Sequence, residues 1–269
     1  VVAYLLYPSL QAALTADFHA LPLATPLILL AFLFSERQHW GRFALAALLI
    51  ATVQEGAALL TATLGLYALA RALWLRRRLA PAERSLTRWP VAAGTLVLLA
   101  GLAWFYIATF VIIPAHAAAA YGLSESPYVA RFGALGDSFG SVVKTLLTRP
   151  GQVLRIVAEP LRLTYLLRLL APVGFLALGG PEILLLGLPL LLANLLSAYP
   201  FQYSGQLHYS APLAAFVIMG AIVGSQRLRR LSRRVAVSLH NHPLWRAHRS
   251  FAILIAWLLA WSIGSQIAW

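Results

Sequence analysis

The stretch that decides the fold lies at residues 90–113 and reads PVAAGTLVLLAGLAWFYIATFVII. It contains no charged side chain, and about 20 consecutive apolar residues in a helix are enough to cross the hydrocarbon core of a bilayer. A cluster of arginines precedes it: Arg76, Arg77, Arg78, Arg84 and Arg88. Basic clusters of this kind mark the cytoplasmic connections of membrane proteins. We therefore predict a transmembrane helix that starts at an arginine-rich cytoplasmic loop.

The whole chain shares this character. Of its 269 residues, 61% are hydrophobic and 11% are charged, whereas soluble globular domains carry roughly 25% charged residues. So few charged residues cannot cover the surface of a water-soluble fold of this length. The bilayer must therefore be the solvent for most of the chain. We predict an all-α, polytopic transmembrane helix bundle with about eight membrane segments, forming a single domain over residues 1–269.

The membrane segments are predicted from apolar runs that end at polar, glycine or proline residues. The run at 43–74 is too long for one span, and we divide it into two helices at Gln54, Glu55 and Gly56. The other predicted runs are 1–14, 21–34, 90–113, 161–178, 182–196, 209–224 and 251–267. Residues 114–160 are more polar. They are predicted to form a long extracytoplasmic loop with short interfacial amphipathic helices at 138–147 and 152–158.

The basic residues predict the orientation. Three connections, around Arg37, Arg76 and Arg227, hold 14 of the 21 Lys and Arg residues, and the positive-inside rule assigns them to the cytoplasm. Alternation then places five of the eight acidic residues outside: Asp17, Glu55, Glu125, Asp137 and Glu159. Arginine outnumbers lysine 20 to one, which is typical of GC-rich bacterial genomes. We expect a multi-pass protein of a bacterial inner (plasma) membrane.

The net charge of +13 could also suit a nucleic-acid-binding protein, but the arginines lie in clusters between apolar runs instead of along one soluble face. Membrane lipid is therefore the predicted partner, and nucleic acid is not. The chain contains no cysteine, which excludes thiolate metal sites within it. Because it begins Val1-Val2-Ala3, without methionine, we expect further helices ahead of Val1.

Two acidic positions are candidates for chemistry because a carboxylate near apolar runs needs a reason to be there. Glu55, beside Gln54, could act in an outer cavity as a base, a metal ligand or a hydrogen-bond anchor; alternatively it complements the dipole of the helix that follows. Asp17 and His19 could form a functional pair in the same cavity. Alternatively, Asp17 caps the next helix.

A third candidate region is aromatic and includes Tyr203, His208 and Tyr209. Aromatic rings there could form the rim of a substrate site, stacking on sugars or lipid headgroups, with His208 donating a proton or a hydrogen bond. The alternative is an ordinary aromatic belt at the membrane interface.

Three stretches carry a resemblance to a known family: residues 7–22 with YPSLQ and DFH, residues 54–67 with QE and GLY, and residues 181–212 with PE, NLLS and HYSAP. They resemble an uncharacterised bacterial membrane-protein family, domain of unknown function 2079, which is similar to the GT-C glycosyltransferases. The resemblance implies an enzyme that takes a sugar from a polyprenyl-phosphate donor at the extracytoplasmic face. It also implies an acidic, aromatic motif ahead of Val1.

The resemblance implies a role for each candidate residue. Glu55, Asp17 and His19 would be catalytic, and a carboxylate would act as a base or hold a divalent metal. Residues that would contact the substrate are Gln54, Tyr203, His208, Tyr209, Arg131, Lys144 and Arg149. Two other classes stay open, a transporter or flippase of lipid-linked substrates and a non-catalytic structural subunit. The enzyme hypothesis expects Asp17, His19, Glu55 and His208 to line one outward cavity.

Overall fold

The computed structural model of the chain describes residues 2–15, 17–121, 129–238 and 247–268. All regular structure in those ranges is helical, so the all-α prediction is confirmed. The α-helices are α1 Val2–Leu5, α2 Pro8–Thr15, α3 Ala24–Glu36, α4 Trp40–Ala51, α5 Ala57–Arg78, α6 Arg88–Ile107, α7 Ile113–Tyr121, α8 Phe139–Thr148, α9 Pro150–Val157, α10 Pro160–Leu170, α11 Pro181–Leu184, α12 Leu188–Leu196, α13 Ala211–Ser238 and α14 Ala247–Ala268.

Three helical stretches of the described residues are long and apolar enough to cross a membrane: Ala57–Arg78, Pro81–Ala117 and His208–Ser232. The remaining apolar helices are shorter: Leu21–Glu36, Trp40–Ala51, Phe139–Thr148, Pro181–Leu196 and Ala252–Ile267. The helix bundle is thus confirmed, while the count of about eight membrane segments stays a prediction.

The first half of the bundle consists of two helical hairpins. α3 and α4 are joined by a tight turn in which Gln38 adopts a positive φ of 60°. The predicted division at Gln54 and Glu55 is confirmed, because α4 ends before them and α5 begins after them. α5 and α6 then pack in direct backbone contact, since a Cβ on Gly65, Gly94 or Gly101 would overlap main-chain atoms of the facing helix. Close approach at small residues is a common packing mode of membrane helices.

The largest apolar core lies between these hairpins and α13. It contains fully buried side chains from several helices, among them Ile28 of α3, Phe43 of α4, Leu60 of α5, Val97 of α6 and Phe216 of α13. Phe216 meets Phe32 edge to face, with ring centroids 6.2 Å apart. Edge-to-face contacts add to the burial energy of aromatic side chains, so this core ties the N-terminal hairpins to α13.

The run predicted at 161–178 is not one continuous helix. α10 ends at Leu170, and a 3-10 turn follows at Ala171–Val173. Gly174 and Phe175 then adopt left-handed conformations, with φ of 56° and 61°. Pro172 lacks the N–H that a continuing helix needs, and glycine enters the left-handed region without steric penalty. The expectation of a single apolar segment here was wrong for these local reasons.

Helix α14 supplies hydrogen bonds to this break. The Trp257 indole N–H donates to the carbonyl of Gly174 at 3.1 Å, and the Ser262 hydroxyl donates to the carbonyl of Pro172 at 2.9 Å. Backbone carbonyls freed by a helix break are expensive to leave unpaired in an apolar environment. The break is therefore stabilised by a helix whose bonding residues lie 83 and 90 positions away in sequence.

The run at 90–113 extends further than predicted. After α6, a π-helical turn at Ala108–Ile112 leads into α7 without interruption. Pro114 has no N–H and its ring would clash with the preceding turn of a regular helix, and a π-helical turn relieves that conflict. The two short amphipathic helices are found as α8 and α9. Residues 122–128 of the predicted loop, with Glu125, lie outside the described residues.

The bundle has two chemically different ends. α5 contains 22 residues and is about 33 Å long, so it separates Glu55 from Arg76. Glu36, at the end of α3, pairs with Arg71 near the end of α5. The arginine end, as we call it, contains Arg37, Arg71, Arg76, Arg77, Arg78, Arg227, Arg229 and Arg230.

The opposite end, the histidine end, contains Asp17 and His19 before α3, Glu55 before α5 and His208 before α13. The structure thus separates Asp17 and Glu55 from the Arg76 cluster, as the charge pattern predicts. Which side of a membrane each end faces stays a prediction.

Candidate functional site

Two histidines that are distant in sequence meet at the histidine end. The rings of His19 and His208 stack with centroids 3.6 Å apart and planes 16° from parallel. His208 lies in the 3-10 turn His208–Ser210 that leads into α13, and His19 precedes the turn Leu21–Leu23 that leads into α3. His208 is buried whereas His19 is exposed. The stack therefore presents one imidazole to the surroundings and holds the other beneath it.

The main chain orients the outer imidazole. His19 Nδ1 lies 2.7 Å from the carbonyl oxygen of Asp17, so the tautomer with Nδ1–H donates to that carbonyl. The Asp17 residue itself is exposed. Asp17 thus contacts His19 through its backbone oxygen and not through its carboxylate, and a functional Asp17–His19 pair stays a prediction.

Aromatic and cationic groups extend this stack sideways. The ring of Tyr209 lies 4.1 Å from that of His208, and Tyr199 meets Tyr209 edge to face at 6.3 Å. The guanidinium of Arg131 lies over the Tyr199 ring, 5.3 Å from its centroid. We call these five side chains the ring cluster: His19, His208, Tyr209, Tyr199 and Arg131. It joins π-faces, imidazole nitrogens and a cation in one place.

A buried arginine fixes the loop that carries part of this cluster. Arg162 Nε donates to Glu159 Oε2 at 2.9 Å, and Arg162 Nη1 donates to the carbonyls of Leu195 and Ser197. The Tyr203 ring covers the guanidinium, with 4.3 Å from Cζ to the ring centroid. The hydrogen bonds of Arg162 therefore hold the end of α12 and the segment that follows it in a defined position.

Arg162 was not among the residues predicted from the sequence, although a signal for it was present. Arg162, Tyr165 and Leu169 recur at helical spacing and form the buried face of α10. An arginine on the buried face of a helix indicates specific partners, because an unpaired guanidinium is costly to bury. Tyr203, which we predicted to contact substrate, covers this arginine.

Beneath the ring cluster lies a network of buried polar side chains. Asn194 Nδ2 donates to the Tyr165 hydroxyl at 2.9 Å and to the carbonyl of Tyr209 at 3.2 Å. The Tyr165 hydroxyl also lies 3.0 Å from Ser210 Oγ. These bonds connect α10, α12 and the start of α13. They hold the turn that carries His208 in a defined position, because buried polar groups strongly favour the arrangement that pairs them.

The other predicted site residues are not joined to the ring cluster. Glu55 and Gln54 are half-buried in the turn before α5, and no described residue forms a hydrogen bond or ion pair with the Glu55 carboxylate. Lys144 and Arg149 are exposed on α8 and at its end. Within the described ranges, no three His, Asp or Glu side chains are grouped to hold a metal ion. A shared cavity for Asp17, His19, Glu55 and His208 stays a prediction.

Comparison with known proteins places these features in a family. A family model described as "Predicted membrane protein (DUF2079)" matches residues 1–266. No curated protein and no solved structure matches the chain. Both ends of the bundle and the whole ring cluster lie inside the matched region.

Proposed function

Because the chain belongs to the DUF2079 family of predicted membrane proteins, we propose that it acts at the membrane on a lipid-linked substrate, transferring a sugar from a polyprenyl-phosphate donor as GT-C glycosyltransferases do. The reaction would take place at the histidine end, facing the extracytoplasmic side of a bacterial inner membrane. The ring cluster carries this proposal, because it gathers stacking surfaces, imidazoles and a guanidinium from four separate segments.

The chemistry of these groups suits a phosphorylated sugar. Aromatic faces such as Tyr209 and Tyr199 stack on the apolar faces of sugar rings. Arg131 offers a charge for the phosphate, and guanidinium groups bind phosphate oxygens in pairs. The exposed imidazole of His19 can exchange a proton with a substrate hydroxyl. Lys144 and Arg149, on the amphipathic helix α8 and at its end, would contact anionic lipid at the membrane surface.

The transfer step needs a base. In the proposal, the carboxylate of Glu55 or Asp17 accepts the proton of an acceptor hydroxyl, and the acceptor oxygen bonds to the anomeric carbon. The bond from that carbon to the phosphate oxygen breaks, and polyprenyl phosphate leaves with the electron pair. General bases typically contribute 10²–10⁴-fold to such rates.

The test is sugar transfer by the purified full-length protein in lipid vesicles that contain a radiolabelled polyprenyl-phosphate sugar. We expect Glu55→Gln or Asp17→Asn to lower the rate by about 100-fold or more, and His208→Asn to weaken substrate binding. Glu83→Gln, an exposed carboxylate at the arginine end, is the matched control. Transfer that stays unchanged in all three site variants would contradict the proposal.

A transporter of lipid-linked substrates is the second candidate, favoured by the break between α10 and α11. Discontinuous membrane helices, whose broken ends can line a binding site, are typical of transporters. The two candidates differ in product. An enzyme releases polyprenyl phosphate and glycosylated acceptor, whereas a transporter moves the intact donor between leaflets. Movement of the donor in vesicles without any glycosylated product would favour the transporter.

A further inference from the structure

A small cavity opens at the histidine end between α2, α10 and the loop that follows Tyr203. Its volume is about 210 Å³. Helix α2 packs against the turn His208–Ser210, so the cavity adjoins the ring cluster. Its lining consists of Pro8, Ser9, Ala12, Thr15, Arg168, Ser204, Gly205 and Gln206. None of these residues was selected from the sequence as a site.

One residue gives this cavity its charge. Arg168 is half-buried, and its Nη1 donates to the carbonyl of Ser204 at 2.8 Å. That bond fixes the guanidinium at the cavity wall, and every other lining side chain is neutral. Ser9 and Gln206 add a hydroxyl and an amide, both of which can donate hydrogen bonds. A fixed guanidinium beside neutral donors is suited to bind an anion with several oxygen atoms.

The surface beside the cavity indicates the kind of anion. Leu14 and Leu167, each adjacent in sequence to a lining residue, are 81% and 50% exposed. Exposed leucines of a membrane protein are suited to contact acyl or isoprenoid chains. An anion that carries a hydrocarbon chain can therefore contact both the polar cavity and its apolar surroundings. A free anion would contact only the polar cavity.

We propose that the Arg168 cavity binds the phosphate monoester group of a membrane lipid, with the lipid chain lying over Leu14 and Leu167. The phosphate oxygens accept hydrogen bonds from Arg168 and from the neutral donors. The site is separate from the ring cluster, and its existence does not depend on the sugar transfer proposed above.

The test is ligand-induced stabilisation of the full-length protein in a neutral detergent, followed by thermal unfolding. The probes are dodecyl phosphate, inorganic phosphate and dodecanol. A ligand that binds only the folded protein raises the midpoint by an amount that grows with its concentration relative to Kd. We expect dodecyl phosphate to raise the midpoint of the wild type, and inorganic phosphate and dodecanol to leave it almost unchanged.

Two variants test the cavity in different ways. Arg168→Gln removes the charge, and Ala12→Leu fills the cavity while leaving the bond from Arg168 to Ser204 in place. Each variant should need at least a ten-fold higher concentration of dodecyl phosphate than the wild type to reach the same rise in the unfolding midpoint. Arg155→Gln, an exposed arginine of α9, is the control for total charge and should respond as the wild type does.

Three results would overturn the proposal. They are no stabilisation of the wild type by dodecyl phosphate, an unchanged response of Ala12→Leu, and a response to inorganic phosphate equal to that with dodecyl phosphate. If Arg168→Gln fails to fold, Ala12→Leu still decides between the outcomes. A protein that binds dodecyl phosphate here but transfers no sugar would support this site and contradict the glycosyltransferase proposal.

Discussion

Gly65 and Gly94 face each other where α5 crosses α6. A Cβ placed on Gly65 would lie 2.8 Å from the carbonyl oxygen of Gly94, and a Cβ on Gly94 would lie 3.0 Å from that of Gly65. The contact is therefore backbone against backbone. Its tightness depends on the absence of both side chains.

Gly94→Ala should destabilise the bundle. Alanine normally favours a helix over glycine by up to about 1 kcal/mol, but here the new methyl group would overlap the main chain of Leu69 at 2.6 Å. Overpacking of this kind typically costs 1–3 kcal/mol. The measurement is the thermal unfolding midpoint in detergent. Gly41→Ala is the matched control, because a Cβ there meets nothing within 4 Å; equal midpoints for both variants would refute the prediction.

Arg162→Met should destabilise the histidine end strongly. It leaves the buried carbonyls of Leu195 and Ser197 without their donor, and each such group costs about 1–3 kcal/mol. We expect a lower unfolding midpoint and faster chymotrypsin cleavage near Tyr199. Arg162→Lys should recover only part of the loss, because an ammonium cannot reproduce the planar geometry of a guanidinium.

Two control variants test whether burial is responsible for the effect expected of Arg162→Met. Arg155→Gln removes an exposed arginine and should change little. Glu36→Gln breaks an ion pair whose side chains are 42% and 56% exposed, and such pairs contribute at most about 1 kcal/mol. A loss as large in either control as in Arg162→Met would show that burial does not set the size of the effect.

The stacked imidazoles should be energetically coupled. A double-mutant cycle with His19→Ala and His208→Ala measures the coupling, for which we expect about 0.5–1.5 kcal/mol from unfolding free energies. His19→Phe retains a ring and should retain most of the stability. His39→Ala, an exposed histidine at the arginine end, should show additive behaviour with His208→Ala. Additivity of the stacked pair as well would mean that the stack contributes no stability.

The two ends of the bundle should react with reagents from opposite sides of the membrane. The 269 residues contain no cysteine, so single cysteines can be introduced by Gln206→Cys at the histidine end and Ala82→Cys at the arginine end. In intact cells, with any cysteine elsewhere in the full-length protein replaced, a membrane-impermeant maleimide should label only the former. Labelling of both positions before permeabilisation would contradict the predicted orientation.

The sequence predicted the features that depend on local patterns. The turn at Gln54 and Glu55 followed from two polar residues inside an apolar run, and α8 and α9 followed from their amphipathic spacing and flanking prolines. The break at Gly174 was not predicted, although Pro172 and Gly174 are local signals for it. The hydrogen bonds from Trp257 and Ser262 that stabilise it come from a distant helix and could not be read from the local sequence.

The same distinction holds for the candidate site. His208 and Tyr209 are neighbours in sequence, and His19 joined them in the prediction because both loops were assigned to the same face of the bundle. Their stacking is a finding of the structure. Arg162 and Arg168 were not predicted as functional residues because they lie in a mostly apolar helix. For Arg162, its helical spacing with Tyr165 and Leu169 was a signal of burial that the prediction did not use.

The lengths of α3 and α4 have a consequence for the lipid around them. These helices contain 13 and 12 residues, which corresponds to about 20 Å and 18 Å, whereas the hydrocarbon layer of a bilayer is about 30 Å thick. If this hairpin spans the bilayer, local thinning is one way in which the bilayer accommodates it. Headgroups and water would then approach His19, which immediately precedes the hairpin, more closely than they approach the middle of α6. Hydrophobic mismatch would thus make the bilayer thinnest beside the stacked imidazoles of His19 and His208.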